Sequence, residues 1–226
     1  MRNAVFVLIC GCLLFSCKTK KAKSFLETEN LKGKVKSLTE TFYPVEVKDG
    51  QPEKGDMWFK SVYTIGENGN KIDWKEYNAD GTLRWKAVST YTSDGKETYC
   101  TGYKADGTVD WKSVYTYDAN GNKTQEEEFN ATGGKNFKII FKYDDKGVKT
   151  DRYFYTSDGS LYSKSSYLFD ANGNQTEEGV YGADGVLKTT NICKYDDIDK
   201  MGNWHTQVQY ANENIAMVSE RVIEYY

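Results

Sequence analysis

The chain has 226 residues, of which 38% are hydrophobic, 15% aromatic and 28% charged, and its formal net charge is −3. This length allows one large domain or two small ones. The mild acidity argues against a nucleic-acid-binding protein, which needs a basic face. The low hydrophobic content argues against a thick two-layer core. The 20 glycines, set against 2 prolines, suit β-strands separated by glycine turns.

Residues 1–17 have the pattern of a lipoprotein signal peptide. Arg2 supplies a positive start, and residues 4–15 are an apolar run of 12 residues, shorter than the roughly 20 of a membrane-spanning helix. The run ends in Leu14-Phe15-Ser16-Cys17, which resembles a lipobox. We therefore expect Cys17 to be lipidated and to become the new N-terminus. An ordinary secretory signal and a permanent membrane helix are the alternatives.

Residues 18–30 are predicted to be a tether that follows the lipid anchor. Four lysines, at positions 18, 20, 21 and 23, lie at its start, and each one near anionic lipid adds roughly 1 kcal/mol of attraction. Lys18 differs from the aspartate that marks retention in the inner membrane of enteric bacteria. By that resemblance the membrane partner is the outer membrane, and the sequence leaves open which side of it the protein faces.

Regularly spaced glycines dominate the rest of the chain. They lie at positions 69, 81, 95, 107, 121, 133, 147, 159, 173 and 185, with spacings that alternate between 12 and 14 residues. Gly55 extends the series backward. Most follow Asn or Asp, and Asn-Gly and Asp-Gly are strong hairpin signals. The spacing predicts a 26-residue unit of two hairpins.

Two kinds of strand alternate between these turns. The long kind, for example residues 109–117, alternates an aromatic face with a polar face at a period of two. The short kind, for example residues 123–129, is more polar and ends in one aromatic residue. Further strands are predicted near residues 33–43, 204–210 and 217–225, residues 44–54 are predicted to be a connection holding both prolines, and a short helical turn fits residues 24–30.

The predicted fold is all-β: an antiparallel meander of about 14 strands in one domain over residues 31–226, with regular repeats from about 55 to 203. Open sheets rarely exceed about ten strands without curling. We therefore expect a coiled or rolled repeat sheet with Trp and Tyr on its inner or concave face. A flat single layer is the alternative.

Two turn sequences resemble a known repeat family. Tyr117-Asp118-Ala119-Asn120-Gly121-Asn122 and Phe169-Asp170-Ala171-Asn172-Gly173-Asn174 are similar to the YD repeats of RHS-type proteins. This resemblance implies an extracytoplasmic spiralling β-sheet, often linked to carbohydrate binding. Residues 80–86 more weakly resemble MORN repeats, which form single elongated sheets, and residues 202–226 resemble the ends of repeat lipoproteins of Gram-negative bacteria. The 26-residue period and the missing RHS core mean that cargo encapsulation does not carry over.

Several enzyme and metal chemistries find little support. His205 is the single histidine, which cannot form a histidine-based zinc site, and it has no serine triad around it. The runs 126–128 and 177–178 are acidic, but neighbours in a strand point to opposite faces, so we interpret them as solvated strand. Asp118 and its turn resemble part of a calcium loop but lack the full set of oxygen ligands. We therefore expect no catalytic residue, no metal and no cofactor.

Aromatic residues on the long strands are the best candidates for a binding surface. Such rings stack on sugars or bury a peptide partner, and packing of a thin core is the alternative role. The sequence predicts a lipid-anchored envelope protein without catalytic activity that binds protein or glycan through this face, or scaffolds there. An envelope polysaccharide hydrolase and a structural spacer remain as alternatives. The candidate residues are Trp58, Trp85, Trp111, Tyr115, Tyr117 and Tyr167.

Overall fold

The structure is a computed structural model that describes residues 20–226, so the leader and the lipidation predicted at Cys17 lie outside the described residues. It contains a four-residue helix, α1 (Phe25–Thr28), followed by 15 strands. The strands are β1 (Val35–Lys48), β2 (Gln51–Lys54), β3 (Phe59–Ile65), β4 (Lys71–Asn78), β5 (Leu83–Tyr91), β6 (Glu97–Lys104), β7 (Val109–Tyr117), β8 (Lys123–Asn130), β9 (Lys135–Tyr143), β10 (Lys149–Thr156), β11 (Leu161–Phe169), β12 (Gln175–Gly182), β13 (Leu187–Ile198), β14 (Trp204–Ala211) and β15 (Asn214–Tyr225).

The repeat and its glycine turns are confirmed. Four long strands, β5, β7, β9 and β11, have the bounds that the sequence predicts, and each short strand is one residue longer than predicted. All ten glycines of the series from 69 to 185 have positive φ. In the turn between β4 and β5, the Gly81 N–H donates to Asn78 and the Asn78 N–H donates to Thr82. This is a three-residue loop with Gly in the left-handed position, so the Asp or Asn before Gly keeps negative φ.

The sheet closes into a barrel. Each strand pairs with its chain neighbour, and β1 also pairs antiparallel with β15, from Val35↔Tyr225 to Pro44↔Met217. Fourteen strands therefore form a closed ring, and β2 extends a hairpin from the end of β1. The all-β antiparallel prediction is confirmed, but the coiled repeat sheet is wrong. Pairing of the first and last strands removes both edges of the ring, which an open sheet leaves exposed, and the short β2 remains as an edge strand.

Two predictions around residues 44–55 are also wrong. Residues 44–54 are not a connection: Pro44 lies in β1 and Pro52 in β2. Pro52 is tolerated because β2 is an edge strand that pairs with β1 only. Gly55 lacks the positive φ of the turn series and lies in the loop before β3. The regular hairpin series therefore begins at Gly69.

Residues 20–32, which we call the plug, cross one end of the barrel. Backbone N–H groups of Lys20, Lys23 and Leu26 donate to the carbonyls of Ala119, Gly121 and Gly69. At the far side, Asn30 Nδ2 donates to the Asn172 carbonyl at 3.0 Å, and the Lys32 N–H donates to Asn203 Oδ1 at 2.8 Å. The segment predicted to be a tether is therefore packed on the barrel from residue 20 onward.

Local signals shape the plug. Ser24 and Glu27 form a capping box at the start of α1. The chain leaves the helix through Asn30, which has a φ of 56°, a left-handed conformation that Asn adopts more readily than most residues. The main buried apolar cluster, Leu31, Val35, Leu38 and Ile65, lies where the plug meets the barrel, with Phe25 and Leu26 packed against it. Among the described residues, no helix reaches the length and apolarity needed to cross a membrane.

The two ends of the barrel differ. We call the end crossed by the plug the plugged end, and it carries the turns of Gly69, Gly95, Gly121, Gly147 and Gly173. The opposite end, which we call the mouth, carries the turns of Gly81, Gly107, Gly133, Gly159 and Gly185. At the mouth, a Cβ added to any of these glycines would meet no described atom within 4 Å, whereas at the plugged end each would contact a plug residue or its neighbour.

A pair of glycine substitutions tests the plug. Gly121 and Gly107 have φ of +81° and +85°, so alanine at either position costs about 1–2 kcal/mol of backbone strain. At Gly121 alone, the new Cβ would lie 2.3 Å from the Lys21 carbonyl oxygen. We expect Gly121→Ala to lower the free energy of unfolding clearly more than Gly107→Ala. We also expect faster trypsin cleavage after Lys20, Lys21 and Lys23, because the backbone there is no longer held by the barrel. Equal unfolding curves and equal cleavage would show that the plug does not dock there.

Candidate functional site in the barrel lumen

Strand register separates an inner wall from an outer wall. Along β7, Trp111, Ser113 and Tyr115 lie on one face, and Ser113 is fully buried. Lys112 lies on the other face, exposed, with its Nζ 3.8 Å from the centroid of the Tyr99 ring on β6. Barrels of about eight strands are filled by their side chains, whereas those of 16–18 strands enclose a water-filled space. A ring of fourteen therefore leaves a lumen, and its inner wall carries the aromatic face.

Aromatic rings form a ladder on this inner wall. The ring centroids of Tyr63 and Trp74 are 5.4 Å apart, those of Trp74 and Trp85 are 4.3 Å apart, and those of Trp85 and Trp111 are 6.3 Å apart. Trp111 lies over Gly102, where an added Cβ would be 2.2 Å from the ring. The glycine therefore lets the indole lie flat against β6.

The predicted binding residues separate into groups. Trp85, Trp111, Tyr115 and Tyr167 are all half-buried on the inner wall. Trp58 does not join them: it lies in the loop before β3 with 61% of its surface exposed. The alignment of the long strands already indicates this difference. Phe59 aligns with Trp85 on the inner face, so Trp58 aligns with Arg84, and neighbouring residues of a strand point to opposite faces.

The hydroxyl of Tyr117 makes a hydrogen bond within the barrel wall. It donates to the Glu97 carbonyl at 3.1 Å. Three other tyrosines at the same repeat position, Tyr91, Tyr143 and Tyr195, donate in the same way to the carbonyl 20 residues earlier. This ring of tyrosines ties neighbouring repeats together at the plugged end, so the hydroxyl of Tyr117 is engaged within the protein.

A cavity of about 640 Å³ lies between the plug and the barrel wall. Phe25, Glu29 and Asn30 line it from the plug. From the barrel it is lined by three tyrosines of the ring and by the first residues of four short strands: Tyr91, Tyr117, Tyr143, Lys71, Glu97, Lys123 and Lys149. Its volume falls within the range of small-molecule sites. Neither the plug nor the register of the short strands had been predicted to form a site, although the 26-residue period places Lys71, Glu97, Lys123 and Lys149 at one level.

Among the charged residues that begin the short strands, Glu97 forms ion pairs with two lysines, whereas Lys149 contacts an aromatic ring. The Glu97 carboxylate lies 3.2 Å from Lys123 Nζ and 3.9 Å from Lys71 Nζ, and it accepts from the Ser89 hydroxyl at 2.6 Å. Lys149 lies over the Tyr167 ring at 4.2 Å, and burial lowers its pKa. Burial also raises the pKa of Tyr115, and the nearby Glu97 charge adds to this effect. The inner wall thus offers aromatic faces beside fixed charges.

Glu29 of the plug faces this hollow. Its side chain lines the cavity and is accessible there. The surrounding protein raises the pKa of this carboxyl, mainly by desolvation and next by the charge of Glu40, which itself pairs with Arg221 at 2.7 Å. Arg221, Lys149 and Lys71 oppose that shift.

Other predicted groups have local roles. His205 Nδ1 lies 2.9 Å from the Arg221 carbonyl oxygen, and its Nε2 lies 3.5 Å from Asp199. Asp118 Oδ1 accepts the N–H groups of Asn120 and Asn122, both at 2.9 Å, so the carboxylate stabilises its own turn. Within residues 20–226, no group of three His, Cys, Asp or Glu is placed to hold a metal ion.

The two cysteines of the barrel are far apart. Cys100 on β6 and Cys193 on β13 are buried and free. Their strands are seven apart in either direction around the ring of fourteen. Closure of the sheet therefore places them on opposite walls, where no disulfide can join them.

Comparisons with known proteins show the fold. No family model and no curated protein matches the chain. A porin-like protein from Bacteroides uniformis is similar over 91% of this chain and 100% of its own, with a TM-score of 0.51 and 11% identity. A putative outer membrane lipoprotein-sorting protein domain from Vibrio parahaemolyticus covers 83% of this chain and 85% of its own (TM-score 0.38, 12% identity). A DUF1329 family protein from Desulfovibrio piger covers 84% and 86% (TM-score 0.38, 12% identity).

Only the first of these three likenesses exceeds a TM-score of 0.5, and at 11% identity it concerns the fold alone. It agrees with an all-β antiparallel barrel. The resemblance to YD and MORN repeats gains no support, because no family model matches and the barrel closes where those repeats imply a spiral or an elongated sheet.

Two acidic residues of the plug should have opposite effects on stability. Because the pKa of Glu29 is raised, folding is favoured below its ordinary value of 4.5 and loses stability as pH rises through the folded pKa. The pKa of Glu27 is lowered by hydrogen bonds from Ser24, so its contribution is present above 4.5 and lost as pH falls. At pH 7, Glu29→Gln should therefore raise the free energy of unfolding, and Glu27→Gln should lower it.

Urea unfolding at pH 4 and pH 7 measures both effects. The difference between Glu29→Gln and the wild type should shrink at pH 4, where the unfolded carboxyl is also largely protonated. A loss of stability in Glu29→Gln at pH 7 would mean that the surrounding lysines and Arg221 outweigh the desolvation of the carboxylate.

Proposed function

We propose that the protein is a lipid-anchored binding protein of the cell envelope that takes a glycan chain into the barrel lumen and does not catalyse a reaction. The observation that carries the proposal is the inner aromatic ladder of Tyr63, Trp74, Trp85 and Trp111, with successive centroid distances between 4.3 and 6.3 Å. Sugar rings stack on such faces through their apolar C–H surface.

The geometry favours a slender ligand. The candidate rings lie on the inner wall, so a ligand must enter through the mouth to reach them. A single glycan chain is narrower than a folded protein, so it is better suited to a lumen intermediate between the filled barrels of about eight strands and the water-filled barrels of 16–18 strands. Protein contact, the other prediction from sequence, is therefore the weaker candidate.

Polar groups beside the ladder complement hydroxyl groups. Trp85 Nε1 and the buried Ser113 hydroxyl donate to Glu76 and Glu126, each at 3.1 Å, and so fix two carboxylates beside the aromatic rings. Aromatic faces with a few fixed polar groups are the usual composition of a small-molecule site. A neutral sugar suits this arrangement because its C–H surface packs on aromatic faces and its hydroxyl groups hydrogen-bond to fixed polar groups.

The outer wall favours a barrel that stands outside the bilayer. A membrane-spanning strand turns apolar side chains outward and polar ones inward. Here lysines lie over tyrosine rings on the outer wall, as in Lys112 over Tyr99 at 3.8 Å and Lys138 over Tyr155 at 4.7 Å. We propose that the lipid at Cys17, and not the barrel, holds the protein in the outer membrane.

Three inner carboxylates, a set that does not include Glu29, support a binding role over the hydrolase alternative. A glycosidase needs two carboxyl groups free to act on either side of a bond. Glu40 is paired with Arg221, Glu97 with Lys123, and Glu126 accepts from Ser113. These groups are engaged with partners inside the wall.

Substitution of Trp111 tests the proposal. Calorimetric titration with maltohexaose, cellohexaose and chitohexaose should find a ligand for the wild type, with tryptophan fluorescence as a second readout. Trp111→Ala should weaken its binding about tenfold, or about 1.4 kcal/mol. Tyr99→Ala is the matched control, because Tyr99 lies on the adjacent strand but on the outer wall, and it should leave the affinity unchanged.

Each other outcome identifies an alternative. Shortened oligosaccharides after incubation would favour the hydrolase. If the wild type, shown to be folded by circular dichroism, binds none of the three sugars, then the proposal is wrong and the structural spacer is favoured. Equal weakening in Trp111→Ala and Tyr99→Ala would place the ligand outside the lumen.

A further inference from the structure

We infer that the barrel stands end-on to the membrane, with its plugged end against a lipid bilayer and its mouth facing away. The inference rests on the lipid anchor proposed at Cys17. It adds the surface that meets the membrane and the side from which a ligand enters.

Chain length sets the first constraint. The Lys20 N–H donates to the Ala119 carbonyl at 3.0 Å, which fixes residue 20 on the plugged end. Cys17 is three residues earlier, and three extended residues span no more than about 11 Å. A lipidated Cys17 therefore enters the bilayer within about 11 Å of the turn that holds Ala119.

Strand length sets the second constraint. The long strands β5, β7, β9 and β11 have nine residues each, or about 30 Å along the strand. At the tilt of about 40° typical of barrels, the ends lie roughly 23 Å apart. The mouth thus lies roughly 23 Å farther along the barrel axis than residue 20, so this tether cannot hold the barrel with its mouth against the bilayer and its plugged end pointing away.

Lysines next to the anchor favour contact of the start of the plug with anionic lipid. Lys20, Lys21 and Lys23 are exposed, and each near an anionic surface adds roughly 1 kcal/mol. Exposed carboxylates of the surrounding turns, such as Glu67 and Asp94, oppose this attraction, so the short tether is what decides which end faces the bilayer. Because the plug is hydrogen-bonded at both of its ends, the barrel cannot swing freely on its anchor as it would on a flexible tether.

Matched labels measure the orientation. Ala119 and Ala105 are exposed residues at corresponding positions of turns on the plugged end and the mouth. The lipidated full chain, carrying Ala119→Cys or Ala105→Cys with a fluorescent label, is inserted into phosphatidylcholine–phosphatidylglycerol vesicles that contain a headgroup quencher. The native Cys100 and Cys193 are buried. We expect the label at 119 to be quenched at least threefold more than the label at 105.

The outcomes separate the anchor from the orientation. Cys17→Ser is the control without an anchor, and we expect it not to float with the vesicles. If the protein that retains Cys17 also fails to float, then the proposed anchor is wrong and the proposed orientation is wrong with it. If it floats and the label at 105 is quenched as strongly as that at 119, or neither is quenched, then the end-on orientation is overturned while the anchor stands. Sugar binding by the protein in solution is unaffected by either result.

Discussion

Pairing of the first strand with the last is the constraint on which the rest of the structure depends. β1 and β15 pair residues that are 173 to 190 positions apart in sequence, from Pro44↔Met217 to Val35↔Tyr225. Arg221 and Glu40 form an ion pair across this seam at 2.7 Å. Without this pairing the repeats would be an open sheet with two exposed faces. With it, one face becomes a lumen, and the aromatic residues are reached only from within. Long-range pairing of this kind gains nothing until the whole ring is assembled, so the seam depends on the regular register of every hairpin before it.

The plug is the second consequence of closure. A ring of fourteen strands is too wide for its own side chains to fill, and the inner wall here is lined largely by half-buried residues. The main apolar cluster, with Leu31, Val35, Leu38 and Ile65, forms where the chain before β1 folds back under the barrel. The segment that leads from the proposed anchor is therefore also the segment that seals one end. Anchoring and closing the lumen depend on the same thirteen residues, 20–32, and this joins the orientation on the membrane to the shape of the site.

Local features of this fold could be predicted from the sequence, and non-local features could not. Glycine spacing gave the long strands β5 to β11 correctly because each turn needs a left-handed residue at one position, and only Gly takes it at low cost. Closure has no such signal: β1 and β15 lie outside the repeat, and nothing in residues 35–48 alone shows which strand they pair with. The prolines led to a wrong prediction of a connection for a related reason. Proline lacks a backbone N–H donor, and β2, which holds Pro52, pairs on one side only, so a missing donor is tolerated there. Glu29, Lys123 and Lys149 come together only once the barrel has closed, so their cavity could not be predicted. The shared face of Trp85 and Trp111 could be predicted because alternation within one strand is local.

Comparing repeats shows which positions hold the barrel and which shape the lumen. At the level nearest the plug, Tyr91, Tyr117, Tyr143 and Tyr195 make the same hydrogen bond, so identity there follows from one structural need. Nearer the mouth, the inner position of successive long strands is Phe59, Trp85, Trp111 and Phe137, and then Ser163 and Thr189. Structure alone does not require this change, because all six residues occupy equivalent places in the ring. At this level, the long strands from β3 to β9 therefore carry aromatic residues, and β11 and β13 carry small polar ones. A ligand that stacks on one side and leaves room for hydroxyl groups on the other matches this asymmetry, and a purely structural spacer gives no reason for it.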